Sequence, residues 1–185
     1  ELDPRAAKMF TTWREPLSYL TRLGVGPGAR VLVIGSGGNG LSYVTHAANL
    51  GAEAVLAGSA ARLELGRAAG AVASYDYRRP DLADALAAEA PDGYDYIIDA
   101  VGKAGQLDAA LPLLRPGGTA TIYGIDDFGR CTLNPQRARG TFTFYNGGYD
   151  EAETHERVTA LWREGKLRAE IWLDLEHPFP LAQIG

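Results

Sequence analysis

The chain has one cysteine, Cys131, in 185 residues. A single thiol excludes an internal disulfide framework and any multi-cysteine zinc site, and it suits a reducing compartment, so a cytoplasmic location is expected. Histidine is nearly as scarce: His46, His155 and His177 stand far apart without metal-ligand spacing, and each is expected to be a surface or capping residue. No cluster of Lys and Arg interrupts a net charge of -5, so neither a nucleic acid nor an anionic membrane surface is expected as a partner. No apolar run approaches the roughly 20 residues that cross a bilayer. The sequence opens on Glu1, with neither initiator Met nor signal-peptide pattern, and is expected to be excised from a longer polypeptide.

With 46% apolar and 22% charged residues, the chain has the composition of a globular protein and the length for one domain with a substantial core. Its organising stretch is RVLVIGSGGNG, Arg30 to Gly40. Val31 to Ile34 form a short, uninterrupted apolar run, the pattern of a strand buried on both faces, and an Ala-rich helical pattern follows the glycines. Gly35, Gly37 and Gly40 fit G-x-G-x-x-G, the turn that cradles a dinucleotide pyrophosphate. The first glycine permits the tight turn, the second leaves room for the phosphates, and the third allows close helix packing. The helix start presents free N–H groups and the positive end of its dipole.

From residue 3 to 23, apolar spacing predicts a helix pair interrupted at Glu15-Pro16. GVGPG, residues 24–28, closes that unit. Strands are expected at 54–57, 73–75, 94–100, 119–123 and 142–145 besides the first. Helices are expected at 41–50 with Gly51 as its cap, at 62–69, at 81–89 capped by Asp81, at 106–114 and at 151–164. This alternation predicts an α/β fold, a Rossmann doubly wound parallel sheet of six strands in the order 3-2-1-4-5-6 with helices on both faces. Ligands in such a sheet bind beyond the carboxyl ends of strands one and four, which places GSGGNG and the loop after Ala100 on one edge.

The ordered set GVGPGARVLVIGSGGNG, LGRAAGA, SYDYR, YDYIIDAVG, LLRPGGTATIYGI, TLNP and HPFPL resembles the cofactor-binding domain of the medium-chain (zinc-type alcohol) dehydrogenase/reductase superfamily over nearly the whole chain. The resemblance implies an NAD- or NADP-binding domain whose catalytic domain, with substrate contacts and often a zinc, lies outside these residues. Residues 1–28 would then be a helical lead-in from that missing domain, 29–170 the dinucleotide-binding domain, and 171–185 a segment returning to the catalytic domain. It further implies a pyrophosphate turn formed by Gly35, Ser36, Gly37, Gly38, Asn39 and Gly40. Asn39 stands where the family more often has an aliphatic residue, and either stabilises the turn or adds a phosphate or ribose contact. Ala100, Val101 and Gly102 would lie by the nicotinamide ribose, and Tyr123, Gly124 and Asn146 would meet the carboxamide. Asp99 is expected to be structural, with no catalytic residue in the chain. Glu15-Pro16-Leu17 is similar to a segment of the sorbitol-type branch, but its distance to strand one is shorter, and Glu15 is not counted in the site.

An NAD-specific domain carries an acid at the tip of strand two. Here that position is Gly58, followed by Ser59 and Arg62, while Tyr77-Arg78 falls where the NADPH-using quinone-reductase branch has its Tyr-Arg. Hydroxyl, phenol and guanidinium are the donors a 2′-phosphate needs, so NADP is the expected cofactor and NAD the alternative. The competing structural roles are a capping Ser59 and a solvated Arg62. On this reading, an Asp at 58 should shift preference toward NAD. The expected function is hydride transfer between NADP(H) and an alcohol or carbonyl, the chain alone being inactive. The alternatives are a non-catalytic nucleotide-binding module and an S-adenosylmethionine-dependent methyltransferase; the latter normally needs an acid that this chain lacks in the turn and at the strand tip. Residues 141–145, an edge strand without Pro, Lys or charge, point to a homodimer through that edge unless residues 126–139 or 171–175 cover it.

Overall fold

The computed structural model describes residues 4–174 and 176–177; residues 1–3, the end of the HPFPL stretch and the rest of the segment to 185 lie outside the described residues. The strands are β1 (Arg30–Ile34), β2 (Glu53–Gly58), β3 (Ala73–Asp76), β4 (Tyr94–Asp99), β5 (Leu114–Ile122) and β6 (Thr143–Tyr145). They form one sheet in the order β3-β2-β1-β4-β5-β6, every pair parallel, as the alternation of strands and helices predicts.

The helices are α1 (Pro4–Ala7), α2 (Met9–Leu23), α3 (Gly38–Asn49), α4 (Leu63–Ala68), α5 (Leu82–Glu89), α6 (Gln106–Ala110) and α7 (His155–Arg163). Because successive strand residues face opposite sides, the apolar run of β1 feeds two cores. Val31 and Val33 join Ala54 and Leu56 of β2 against Tyr19 and Leu20 of α2 and Leu41, Tyr43 and Val44 of α3. Leu32 and Ile34 join Val55 and Ala57 against Leu86 of α5 and Leu107 and Ala110 of α6. Each fully buried aliphatic side chain contributes about 1.5–3 kcal/mol, so the sheet is held from both faces. A third cluster, Trp13, Leu17, Val158 and Leu161, ties α2 to α7.

Four local expectations are corrected. Pro16 does not break the first helix: α2 runs through it, and the interruption falls at Lys8. Proline has no N–H to give the Thr12 carbonyl, but the Ser42 hydroxyl of α3 donates to that oxygen at 2.8 Å, so the bond lost within the helix is replaced across the interface. Asp81 stands at the N-cap of α5 as expected, but its side chain makes no capping bond, because Arg79 claims the carboxylate with two bonds of 2.7 and 2.6 Å. The helix expected to reach Leu114 ends at Ala110 in a 3-10 turn, and Leu114 already pairs with Tyr94, so RPGG lies within β5 as an irregularity. His46 is neither surface nor cap. It is fully buried beneath α2, and that burial pushes its pKa down to about 3, with the nearby Trp13 backbone opposing the shift and Arg157 adding to it. The ring is therefore neutral at physiological pH.

Candidate functional site

The site grows from the end of β1. Gly35 turns the chain at φ +109°, and its N–H donates to Ala57 O at 2.8 Å, fixing the turn to the neighbouring strand. A side chain at Gly35 would meet Val101 Cγ2 at 2.6 Å, so strand-end loops one and four pass in direct contact. Gly37, which precedes α3, faces open space, and the first turn of α3 carries no acid. That combination leaves N–H groups and the dipole's positive end available to an anion. Gly40 packs on the turn itself: a Cβ there would stand 1.9 Å from Gly35 O.

Two clefts open along the carboxyl ends of the strands and share Val101 and Asp126 in their walls. The first, about 270 Å³, brings together Gly35, Ser36, Gly58, Ser59, Tyr77 and Val101. The second, about 450 Å³, brings together Asn39, Ala100, Val101, Tyr123, Gly124 and Asn146. A cleft of about 490 Å³ between α2 and α7 gathers none of the expected residues. Gly37 and Gly38 lie exposed at the start of α3. Gly40 and Gly102 are buried, and the spacing at Gly102 serves another loop: its Cβ would fall 2.1 Å from Gly124 O. Arg62 does not line the first cleft; its guanidinium donates to Ser36 O at 3.1 Å.

Ser36 is the hinge of the first cleft. Its buried Oγ accepts the Ser59 N–H at 2.9 Å, and it fills the space beside Gly58, where a Cβ would meet Ser36 Cβ at 2.5 Å and Oγ at 2.7 Å. Asp99 lies buried at the end of β4, its Oδ1 accepting the N–H groups of Val101 and Gly102, both at 2.9 Å. Burial raises its pKa while those two bonds oppose the rise, and it lines neither cleft.

Sequence reasoning missed part of each wall. Lys103, Gln106 and Asp126 also line the first cleft, and Tyr19, Ile125 and Tyr149 also line the second. Glu15, set aside on spacing, accepts a hydrogen bond from the Tyr123 phenol 108 residues away. Its one sequence signal was the Glu15-Pro16-Leu17 segment. Tyr19, Tyr43 and Tyr123 stack edge to face at centroid distances of 5.9, 5.2 and 5.8 Å, a rigid aromatic floor beneath that cleft. Among the described residues no three His, Cys, Asp or Glu side chains converge to hold a metal ion, so these residues do not fit a zinc site. Among them, too, no helix is long and apolar enough to cross a membrane.

Residues 38–146, more than half of the chain, match the sequence model of the family described as zinc-binding dehydrogenase. L-galactonate-5-dehydrogenase of Escherichia coli K12 is 27% identical over 187 residues, covering 96% of this chain and 53% of its own. Alcohol dehydrogenase TADH of Thermus sp. ATN1 superposes with a TM-score of 0.74 at 27% identity, over 91% of this chain and 51% of its own. A short chain alcohol dehydrogenase of Escherichia coli CFT073, solved with the cofactor NADH, superposes with a TM-score of 0.78 over 92% and 51% of the two chains. At 19% identity that likeness shows the fold alone. The chain spans about half the length of the curated relatives it matches.

Proposed function

The chain belongs to the zinc-binding dehydrogenase family, as the cofactor-binding domain of a medium-chain dehydrogenase/reductase, and from that membership we propose that it holds NADP(H) across its two clefts. The observation that carries the proposal is the meeting of both clefts at Val101, beside a glycine turn whose open position, Gly37, starts a helix. When bound, the nicotinamide ring supplies or accepts a hydride, here between cofactor and a small alcohol or carbonyl, while the protein orients it. The N–H groups at the start of α3 would hold the pyrophosphate. Tyr123, Gly124 and Asn146 would meet the carboxamide in the second cleft. Ser59 and Tyr77 would flank the 2′-phosphate, and Arg62, whose Nη1 bonds Ser36, keeps further donors to turn toward it.

NADP is favoured by the lack of an acid at the tip of β2, where Gly58 stands. NAD is the second reading, favoured by the Arg62 guanidinium, which bonds Ser36 O and does not line the first cleft. Fluorescence titration of the 185-residue chain tests both. NADPH should bind, Arg62→Ala should weaken it by about tenfold to a hundredfold, and NADH should be little affected. Equal weakening of both would overturn the 2′-phosphate assignment. Binding of S-adenosylmethionine in place of either nucleotide would overturn the function itself. The chain alone should turn over no alcohol, since substrate contacts belong to the further domain this reading assumes. A cytoplasmic location belongs to the same reading.

A twofold dimer through β6 is also part of the proposal. Thr143 and Phe144 are exposed on the edge strand, Phe144 at 43%. Residues 134–137 are fastened to Asp108 of α6, and Ile171 and Trp172 pack with the α2–α3 side of the core. Residues 134–137 and 171–172 are thus engaged away from β6, which favours an open edge, and an antiparallel pairing of two copies would satisfy it. Sedimentation at micromolar concentration should give a dimer that Thr143→Pro dissociates; an unmutated monomer would remove this part.

A further inference from the structure

The second cleft is electrostatically one-sided. Among the described residues no Lys or Arg lines it, and the one charged side chain among those that do is Asp126. Glu15 of α2 touches this wall: its Oε2 accepts the phenol hydrogen of Tyr123, a residue that lines the cleft. Tyr149 lies against the same ring, 6.0 Å between centroids. Burial and the hydrogen bond to Glu15 hold the Tyr123 phenol far above its ordinary pKa, and burial followed by the Glu15 charge raises that of Tyr149. Both phenols thus remain neutral.

We infer that Glu15 makes this cleft prefer the positively charged oxidised nicotinamide ring over the neutral reduced ring, and so tunes the redox balance of the bound cofactor. The inference rests on the reading that the nicotinamide end occupies this cleft. The two cofactor forms share their phosphates, ribose and adenine, so every other contact cancels in the ratio of their affinities. What remains is the ring's charge, which a nearby carboxylate stabilises at the moderate effective dielectric of a half-buried site. Aromatic faces add to the same preference, since the faces of the Tyr rings are electron-rich. Glu15 acts as a positioning residue of charge, with no role in proton transfer required.

The test measures dissociation constants of NADP+ and NADPH for the chain, for Glu15→Gln and for Glu15→Asp, with circular dichroism to confirm folding. Glu15→Gln should weaken NADP+ by roughly three- to tenfold and change NADPH by less than about twofold. Glu15→Asp, which keeps the charge, should retain most of the oxidised-form preference. A tenfold change in this ratio equals about 30 mV in the bound two-electron couple. Equal effects of Glu15→Gln on both forms, or none, would overturn the inference and leave the cofactor site standing. Loss of the preference in Glu15→Asp as complete as in Glu15→Gln would also overturn it. Failure of the unmutated chain to bind either form would overturn the cofactor reading, and the inference with it.

Discussion

Gly40→Ala should abolish cofactor binding and destabilise the fold by about 1–3 kcal/mol, the range for forcing extra volume into a packed site. The added methyl would sit 1.9 Å from Gly35 O and 2.8 Å from Gly35 C, both backbone atoms that no rotamer change can move. Relief requires α3 to retreat from β1, which moves the helix start away from the phosphates. Gly37→Ala is the matched control. Its methyl meets nothing within 4 Å and its φ of -70° is ordinary, so stability should hold within about 0.5 kcal/mol while NADPH affinity falls. Urea denaturation paired with nucleotide titration separates the two results. A Gly40→Ala chain that binds NADPH normally would show that the turn is not the phosphate site.

Gly58→Asp should lose both nucleotides instead of switching from NADPH to NADH, reversing what the sequence suggests. The Asp Cβ would collide with the Cβ and Oγ of Ser36, and relief moves the glycine turn away from the tip of β2. Pairing it with Ser36→Gly removes the obstacle. The double variant should bind NADH in preference to NADPH, with NADPH weakened by about a hundredfold or more from repulsion between carboxylate and 2′-phosphate. Titration of the single and double variants decides it. A clean switch by Gly58→Asp alone would show that Ser36 yields without cost. Cofactor choice would then reside at position 58 by itself, rather than in the pair.

Strand order, the glycine turn and the position of the clefts were legible because each depends on neighbours in sequence. Short apolar runs define the buried strands, Gly35 at positive φ defines a turn that other residues resist, and right-handed crossovers leave one arrangement of the sheet. Helix ends were read less well where a side chain had a competing partner, as Asp81 had in Arg79.

The sequence by itself determined the α/β class, the sheet order and the glycine turn from which the site is built, since local backbone preference and burial periodicity suffice for those. Only the tertiary structure decided which residues around that turn can act together. Ser42 rescues the carbonyl vacated by Pro16, Ser36 blocks a side chain at Gly58, and Glu15 reaches Tyr123. These contacts join residues from 22 to 108 positions apart, whose meeting follows from helices packing on a closed register, and no spacing along the chain encodes it.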